Sequence, residues 1–444
     1  MTSEGKGHRK FWTAAASAMI AALPGLACAQ EAGGVSATLT FSQGLTYSDT
    51  DGTFGRTNLG YSVNSVTRSQ TLGFNLSGAL EQDFDGGLSM QVVNPRVGLS
   101  YGIESRQTSM NASLGYRASD VDGFVEDPDG EPEDLILDDG TREDINANLG
   151  LTFGREMRFG GSVNLGFRET AYSDTTSADL IDTDRTNVGV NLRFEIDRRI
   201  TANLGYQWAQ TDRATGRDVL NEDLTAGATL EVTQTLKADV SVGLNQITVT
   251  DGGIDTVTDG LSYDINLTQS RPNGALRFSL RSNVSESGRR TAAIVGGTFE
   301  TQRGEFMADV GVSEGADNQI RPLVTLRYSE DLPRGNYSID LRQRFSTDAD
   351  GDETLNSRLR FNWRQNLTQS SNLASSVTYQ MTDVLGADED AARLELGLTY
   401  SHDLNEDWAL KTSYTHSFVD QDGVDSSREN EIFVGLETAL GWRP

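Results

Sequence analysis

The sequence predicts an all-β chain. Its expected form is a single closed antiparallel transmembrane β-barrel of about 22 strands, with 18 or 20 as the alternatives. Three observations lead there. Segments of about ten residues alternate apolar and polar side chains almost from end to end. The connections between them alternate between short and long. The chain has 444 residues, yet only 36% are hydrophobic and 8% aromatic, with 46 Gly. That apolar supply is thin for several globular cores and suits sheets whose second face is wet.

The first element is a targeting segment, residues 1–29. Lys6, His8, Arg9 and Lys10 form a basic start, and Phe11 to Leu23 is an apolar run of 13 residues. Pro24 and Gly25 break it, and Ala27 and Ala29 flank Cys28 as the small residues a signal peptidase needs. The run is too short to span a bilayer. Cleavage after Ala29 would begin the mature chain at Gln30. The second reading is a lipidated Cys28, although Gly25 stands where such signals usually carry Leu. Cys28 is the only cysteine, so a mature chain 30–444 has no disulfide and no thiolate chemistry.

The remainder holds no apolar run of 18 residues, so no membrane helix is readable. What it holds is period two. In 236–245, Leu236, Ala238, Val240, Val242 and Leu244 alternate with Lys237, Asp239, Ser241, Gly243 and Asn245. In 355–364, Leu355, Leu359, Phe361 and Trp363 oppose Asn356, Arg358, Arg360, Asn362 and Arg364. A Leu-Gly-aromatic phrase recurs at Leu59, Leu114, Leu165 and Leu204. Alternation of this kind means strands with one apolar and one polar face.

The strands are expected near 35–48, 58–66, 71–82, 94–103, 107–118, 146–154, 159–171, 187–196, 200–210, 223–232 and 236–248. They continue near 260–269, 274–285, 291–301, 305–313, 321–329, 335–345, 354–364, 371–382, 391–401, 407–418 and 430–442. Short connections include 155–158, 197–199, 232–235, 271–273 and 302–304. Long ones include 119–145, 172–186, 211–222, 249–259 and 419–429. With an even strand count all short turns share one side and all long loops the other. The competing folds are a soluble β-sandwich and a β-solenoid. No repeat of fixed length supports the solenoid, and a sandwich needs no aromatics at so many strand ends.

Charge separates the two sides. The net charge is −28, which disfavours nucleic acid as a partner. Loop 119–145 carries twelve acids against Arg142, while Arg68, Arg106, Arg155, Arg198 and Arg271 sit in short turns. The long loops therefore form an acidic crown. Asp-x-Asp-Gly begins there six times, at Asp49, Asp83, Asp120, Asp127, Asp348 and Asp420. Alternate carboxylates on a sharp turn are a geometry that holds Ca²⁺. No resident cofactor is expected; weak Ca²⁺ or Mg²⁺ binding is expected at Asp127, Asp129, Asp348, Asp350, Asp352, Asp420 and Asp422. The simpler reading is that Asp and Gly are turn formers, and it is the favoured one.

The polar parity of the strands in the C-terminal half is basic. It carries Arg277, Arg281, Arg327, Arg342, Arg344, Arg358, Arg360 and Arg364, against Asp264, Glu305, Asp309 and Asp340. Inside a pore such a wall sets ion selectivity; alternatively these charges pair across strands and fill space. Catalysis has little support. Of three His, His8 leaves with the signal, His402 is expected in a turn, and His416 shares the apolar parity without a readable Ser partner.

The signal, the alternating strands and the side-segregated loops resemble Gram-negative outer-membrane β-barrels. The likeness is looser to β-barrel porins found with exopolysaccharide genes. The last strand, with Ile432, Val434, Leu436, Leu440 and Trp442, resembles the assembly signal of such proteins, although the chain ends Trp442-Arg443-Pro444. The resemblance implies insertion in the outer membrane of a Gram-negative bacterium after passage through the periplasm. It implies short periplasmic turns, acidic extracellular loops, contact with lipid and lipopolysaccharide, and handling by the assembly machinery. No plug domain is readable before the strands, which argues against an energised receptor. The expected function is a pore for small solutes or an anionic polysaccharide, because about 22 strands enclose more space than strand side chains fill. The alternatives are a structural or surface-interaction barrel with a closed lumen and, less favoured, an outer-membrane lipid hydrolase.

Overall fold

The computed structural model describes residues 34–84, 89–121, 140–176, 180–285, 288–315, 318–347, 353–384, 390–421 and 424–443. The expected cleavage site at Ala27 and Ala29 lies outside them. The elements are β1 (Val35–Ser48), β2 (Gly52–Val66), β3 (Gln70–Asp83), β4 (Ser89–Glu104), β5 (Thr108–Asp120), β6 (Thr141–Phe153), β7 (Phe159–Ser173), β8 (Thr183–Asp197), β9 (Ile200–Arg213), β10 (Arg217–Glu231) and β11 (Leu236–Asp251). They continue with β12 (Ile254–Arg271), β13 (Gly274–Ser285), β14 (Gly288–Glu300), β15 (Gly304–Glu314), β16 (Ile320–Leu332), β17 (Gly335–Thr347), β18 (Glu353–Asn366), β19 (Ser371–Val384), β20 (Asp390–Asp403), β21 (Trp408–Gln421) and β22 (Val424–Trp442). Each strand pairs antiparallel with its sequence neighbours, and β1 pairs with β22 from Ala37↔Trp442 to Ser48↔Glu431. The sheet is a closed barrel of 22 strands.

The alternation sorts the two faces as expected. Leu224, Leu244 and Leu261 stand opposite one another on β10, β11 and β12 and are 47%, 62% and 55% exposed on the outside. Their neighbours on the other face are turned into the lumen, where Asn245 is buried and Asp223, Thr225 and Ser262 are half-buried. A belt of rings girdles the outer face toward the rim that holds both chain ends. Tyr61 lies 6.2 Å from Trp442, Phe159 4.9 Å from Phe194, and Tyr328 5.6 Å from Tyr337, centroid to centroid. Above that belt the outward residues are mostly aliphatic, with rings such as Tyr47, Tyr206 and Tyr414 among them. An exposed apolar band of this extent needs a covering, since water would oppose it.

The strands run longer than the alternation alone predicts. The loops expected at 211–222 and 249–259 are instead tight turns at 214–216 and 252–253, with Gly216, Gly252 and Gly253 at positive φ. The loop expected at 419–429 shrinks in the same way, because β21 reaches Gln421 and β22 starts at Val424. Beyond the apolar band, outward positions such as Gln246, Thr248 and Thr250 are polar, but ladder hydrogen bonds need no apolar side chain, so pairing continues past the point where the pattern ends. The acidic connection 121–140 remains long. His402, expected in a turn, is the penultimate residue of β20 and stacks on Tyr400.

Candidate functional site: the lumen wall

The eight arginines singled out above all lie on the lumen side of β13, β16, β17 and β18. Their surroundings differ. Arg277 reaches across Gly296 of β14 to Asp309 of β15, with Nη2 3.1 Å from each carboxylate oxygen. Gly296 is required there: a Cβ would stand 2.0 Å from Asp309 Oδ1. Arg327 donates from Nε to Asp340 at 2.9 Å. Arg281 sits directly opposite Asp264. Two of the acids counted as a minority are thus the direct partners of individual arginines.

The register then places like charges together. Arg342 of β17 stands directly opposite Arg358 of β18, with Arg344 opposite Asn356 and Arg360 opposite Asp340. Arg364 faces Asn336 near the chain-end rim. Like charges directly opposite on one face repel. Arg344, Arg358 and Arg360 each have a partner. Among these eight, the opposition of like charges falls on β17 and β18, whereas each arginine of β13 and β16 bonds or faces an acid; elsewhere Arg96 stands opposite Arg117 and Arg168 opposite Arg185.

A second set of charges bears little signature in the sequence, since most of its partners lie far apart in the chain. Asp144 on β6 is 1% exposed and accepts hydrogen bonds from Arg117 at 2.9 Å, Arg142 at 3.0 Å and Thr170 at 3.0 Å. Arg56 on β2 bridges Glu81 at 2.7 Å and Glu431 at 2.8 Å, tying β3 through β2 to β22. Arg142, the lone base among the acids of 119–145, belongs to this set. The readable signal was the parity it shares with Asp144, two residues on.

The six Asp-x-Asp-Gly phrases receive a partial answer. Asp127, Asp129, Asp348, Asp350, Asp352 and Asp422 lie outside the described residues, and Asp420 is an exposed residue of β21. Asp49–Gly52 is described in full. Asp49 there accepts the Asn430 backbone N–H at 2.8 Å and Nδ2 at 2.6 Å. Those hydrogen bonds hold its carboxyl below the usual range. In this phrase Asp49 makes a turn-to-strand clasp, the turn-former reading. Among the described residues no group of three or more His, Cys, Asp or Glu is placed to hold a metal. His416 lies on the outer face with Nδ1 2.9 Å from Asn430 Oδ1, and the residues two away on its face are Tyr414 and Phe418, so no serine is placed there as a nucleophile.

No family model matches the chain, and no curated protein does. Solved structures do. A ferric enterobactin receptor mutant of Pseudomonas aeruginosa aligns with TM-score 0.57 at 10% identity, covering 93% of this chain and 82% of that one. The FrpB iron transporter of Neisseria meningitidis aligns with TM-score 0.58 at 8% identity, covering 92% and 82%. The copper transporter OprC aligns with TM-score 0.56 at 11% identity, covering 93% and 82%. At such identities the likeness establishes the large barrel fold these proteins share.

Proposed function

We propose that the chain is an outer-membrane transport pore of a Gram-negative bacterium, passing small solutes or an anionic polysaccharide. The observation that carries this reading is the directly opposed pair Arg342 and Arg358, flanked by Arg344 and Arg360, on a lumen wall. A purely structural wall would alternate signs across the ladder, as it does at Arg327 and Asp340. A wall built to meet anions concentrates one sign and tolerates the repulsion. The apolar band and ring belt fit lipid, and the acidic crown would face lipopolysaccharide and divalent ions outside. The strong likeness in fold to outer-membrane transporters supports the same reading. Insertion would require the assembly machinery, with β22 as its terminal strand.

The test is ion selectivity. Purified barrel in a planar bilayer under a KCl gradient is expected to give a reversal potential on the anion side. Replacing Arg342, Arg344, Arg358 and Arg360 together with Gln is expected to move it toward cations. A cation-selective wild type, or a quadruple variant with unaltered selectivity, would show that the wall serves packing alone. That outcome favours the closed-lumen structural barrel.

A further inference from the structure

Among the described residues, pairing stops well short of the strand ends toward the rim opposite the chain ends at three junctions: β4–β5, where it ends at Arg96↔Arg117, β12–β13 and β16–β17. β12 and β13 pair from Arg271↔Gly274 only as far as Tyr263↔Ser282. Yet β12 continues in register with β11 to Ile254, and β13 continues with β14 to Ser285↔Gly288. Four strands further, β16 and β17 pair from Leu332↔Gly335 only to Thr325↔Arg342, although β16 begins at Ile320 and β17 runs to Thr347. The outer ends of β13, β14, β15 and β16 are therefore paired with one another and detached from the wall on both sides. They form a four-stranded leaf.

The leaf is folded inward. Val284, at its tip, is 5% exposed and packs with Val219 of β10, Ile247 of β11 and Val249. All three stand on the lumen face, and β11 touches β13 past the intervening β12. β12 permits this by carrying Gly260 at the crossing: a Cβ there would lie 2.9 Å from Val284 Cγ2 and 3.0 Å from Arg289 Nη2. Ser282 of β13, Ala292 of β14, Ser313 of β15 and Leu323 of β16 are all buried, at 2%, 5%, 4% and 9% exposure. At the other edge Arg321 holds its guanidinium 5.9 Å from the Phe345 ring of β17. One cavity of about 660 Å³ is lined jointly by Asp223 of β10, Asp264 of β12, Arg281 of β13, Asp309 of β15 and Arg344 of β17. A segment turned into the lumen brings such distant strands around one space.

We infer that this leaf is the gate of the pore: docked by Val284 it closes off the lumen over the Arg342–Arg358 wall, and swung back it completes the barrel wall. The inference rests on the pore reading. The docked state buries one valine cluster. The swung state would let residues 283–285 rejoin the vacant edge of 254–262, and residues 320–324 rejoin that of 343–347. A small apolar contact on one side and a few ladder hydrogen bonds on the other are terms of similar size. An element balanced between two such packings is what a two-state switch requires.

The experiment uses the full mature barrel. Val284→Cys with Ile247→Cys introduces the only thiol pair, because the native Cys28 lies in the expected signal segment. Mass spectrometry after mild oxidation is expected to show a 247–284 disulfide. In planar bilayers the oxidised barrel is expected to conduct weakly, with conductance rising several-fold on reduction. Gly260→Val, placed on the intact strand β12 and leaving both partners native, is expected to displace the tip and raise conductance without oxidation. Failure of the disulfide to form in a folded barrel would overturn the docked leaf. A disulfide-locked barrel that conducts as well as the reduced one would overturn the gate and leave the pore standing. Absence of conductance in every form, including Gly260→Val and a barrel lacking residues 283–290, would overturn the pore reading and the gate with it.

Discussion

The wall from β22 around to β7 and the leaf of β13–β16 are made of the same antiparallel ladder, but their margins are treated in opposite ways. The first wall contains the joint between chain start and chain end, where closure has no short turn to enforce it. It is held by clasps toward its outer rim: Arg56 between Glu81 and Glu431, Asp49 on Asn430, and Asp144 among Arg117, Arg142 and Thr170. Pairing of β1 with β22 accordingly runs in full to Ser48↔Glu431. The leaf is joined to its neighbours by consecutive strands and so needs no help to be found. Its edges carry a valine cluster and a cation–π contact, and pairing stops early on both sides. The contrast teaches that charge clasps bind the seam between the two chain ends, while the leaf docks by way of a valine cluster.

The largest effect expected from breaking this contrast is at Asp144. With its side chain 1% exposed, Asp144→Ala strips two guanidiniums of a shared buried partner, a change that costs about 3–5 kcal/mol in other proteins. The urea midpoint of unfolding in detergent should fall accordingly. An unchanged midpoint would show that the clasps do not hold the wall.

Val284→Ala should separate the regions in the other sense. It loosens a local dock, so amide exchange within 288–294 should accelerate while the global midpoint stays within about 0.5 kcal/mol of wild type. Uniform destabilisation would mean that the leaf is as integral as the clasped wall.

A smaller effect is expected at the clasp between Asp49 and Asn430. The folded-state pKa of Asp49 is lowered, so its contribution is present above the ordinary carboxylate value of 3.8 and is lost as pH falls through the folded value. Asn430→Ala should therefore lower the melting temperature slightly at pH 7 and have no effect near pH 2. Equal effects at both pH values would assign the role of Asn430 to packing.

The smallest effect concerns the acidic loops. Calorimetry at millimolar Ca²⁺ should show weak binding that declines in Asp348→Ala/Asp350→Ala. No binding, or binding that the double variant leaves unaltered, would extend the turn-former reading from Asp49 to the other phrases.

Much of this molecule was legible in particular residues. The run Leu236, Ala238, Val240, Val242 and Leu244 announced an outward face, and the even parity of 336–364 placed Arg342, Arg344, Arg358 and Arg360 in the lumen before any strand was paired. Less was legible in the site. That Arg342 meets Arg358, whereas Arg327 meets Asp340, depends on register across turns whose lengths the pattern locates only within a few residues. His416 was placed on the outer face, but its partner Asn430 sits on the next strand and bears no motif.

The sequence by itself determined the class of fold and the sidedness of the strands. These follow from a period of two, which is local: each residue's face is set by its immediate neighbours. Only the tertiary structure decided where pairing stops, which charges neutralise one another and that β13–β16 folds inward. Those are contests between distant segments for the same backbone partners. Val284 settles against Ile247, 37 positions earlier in the chain, because Gly260 leaves room for it. No local pattern records a space left open on another strand.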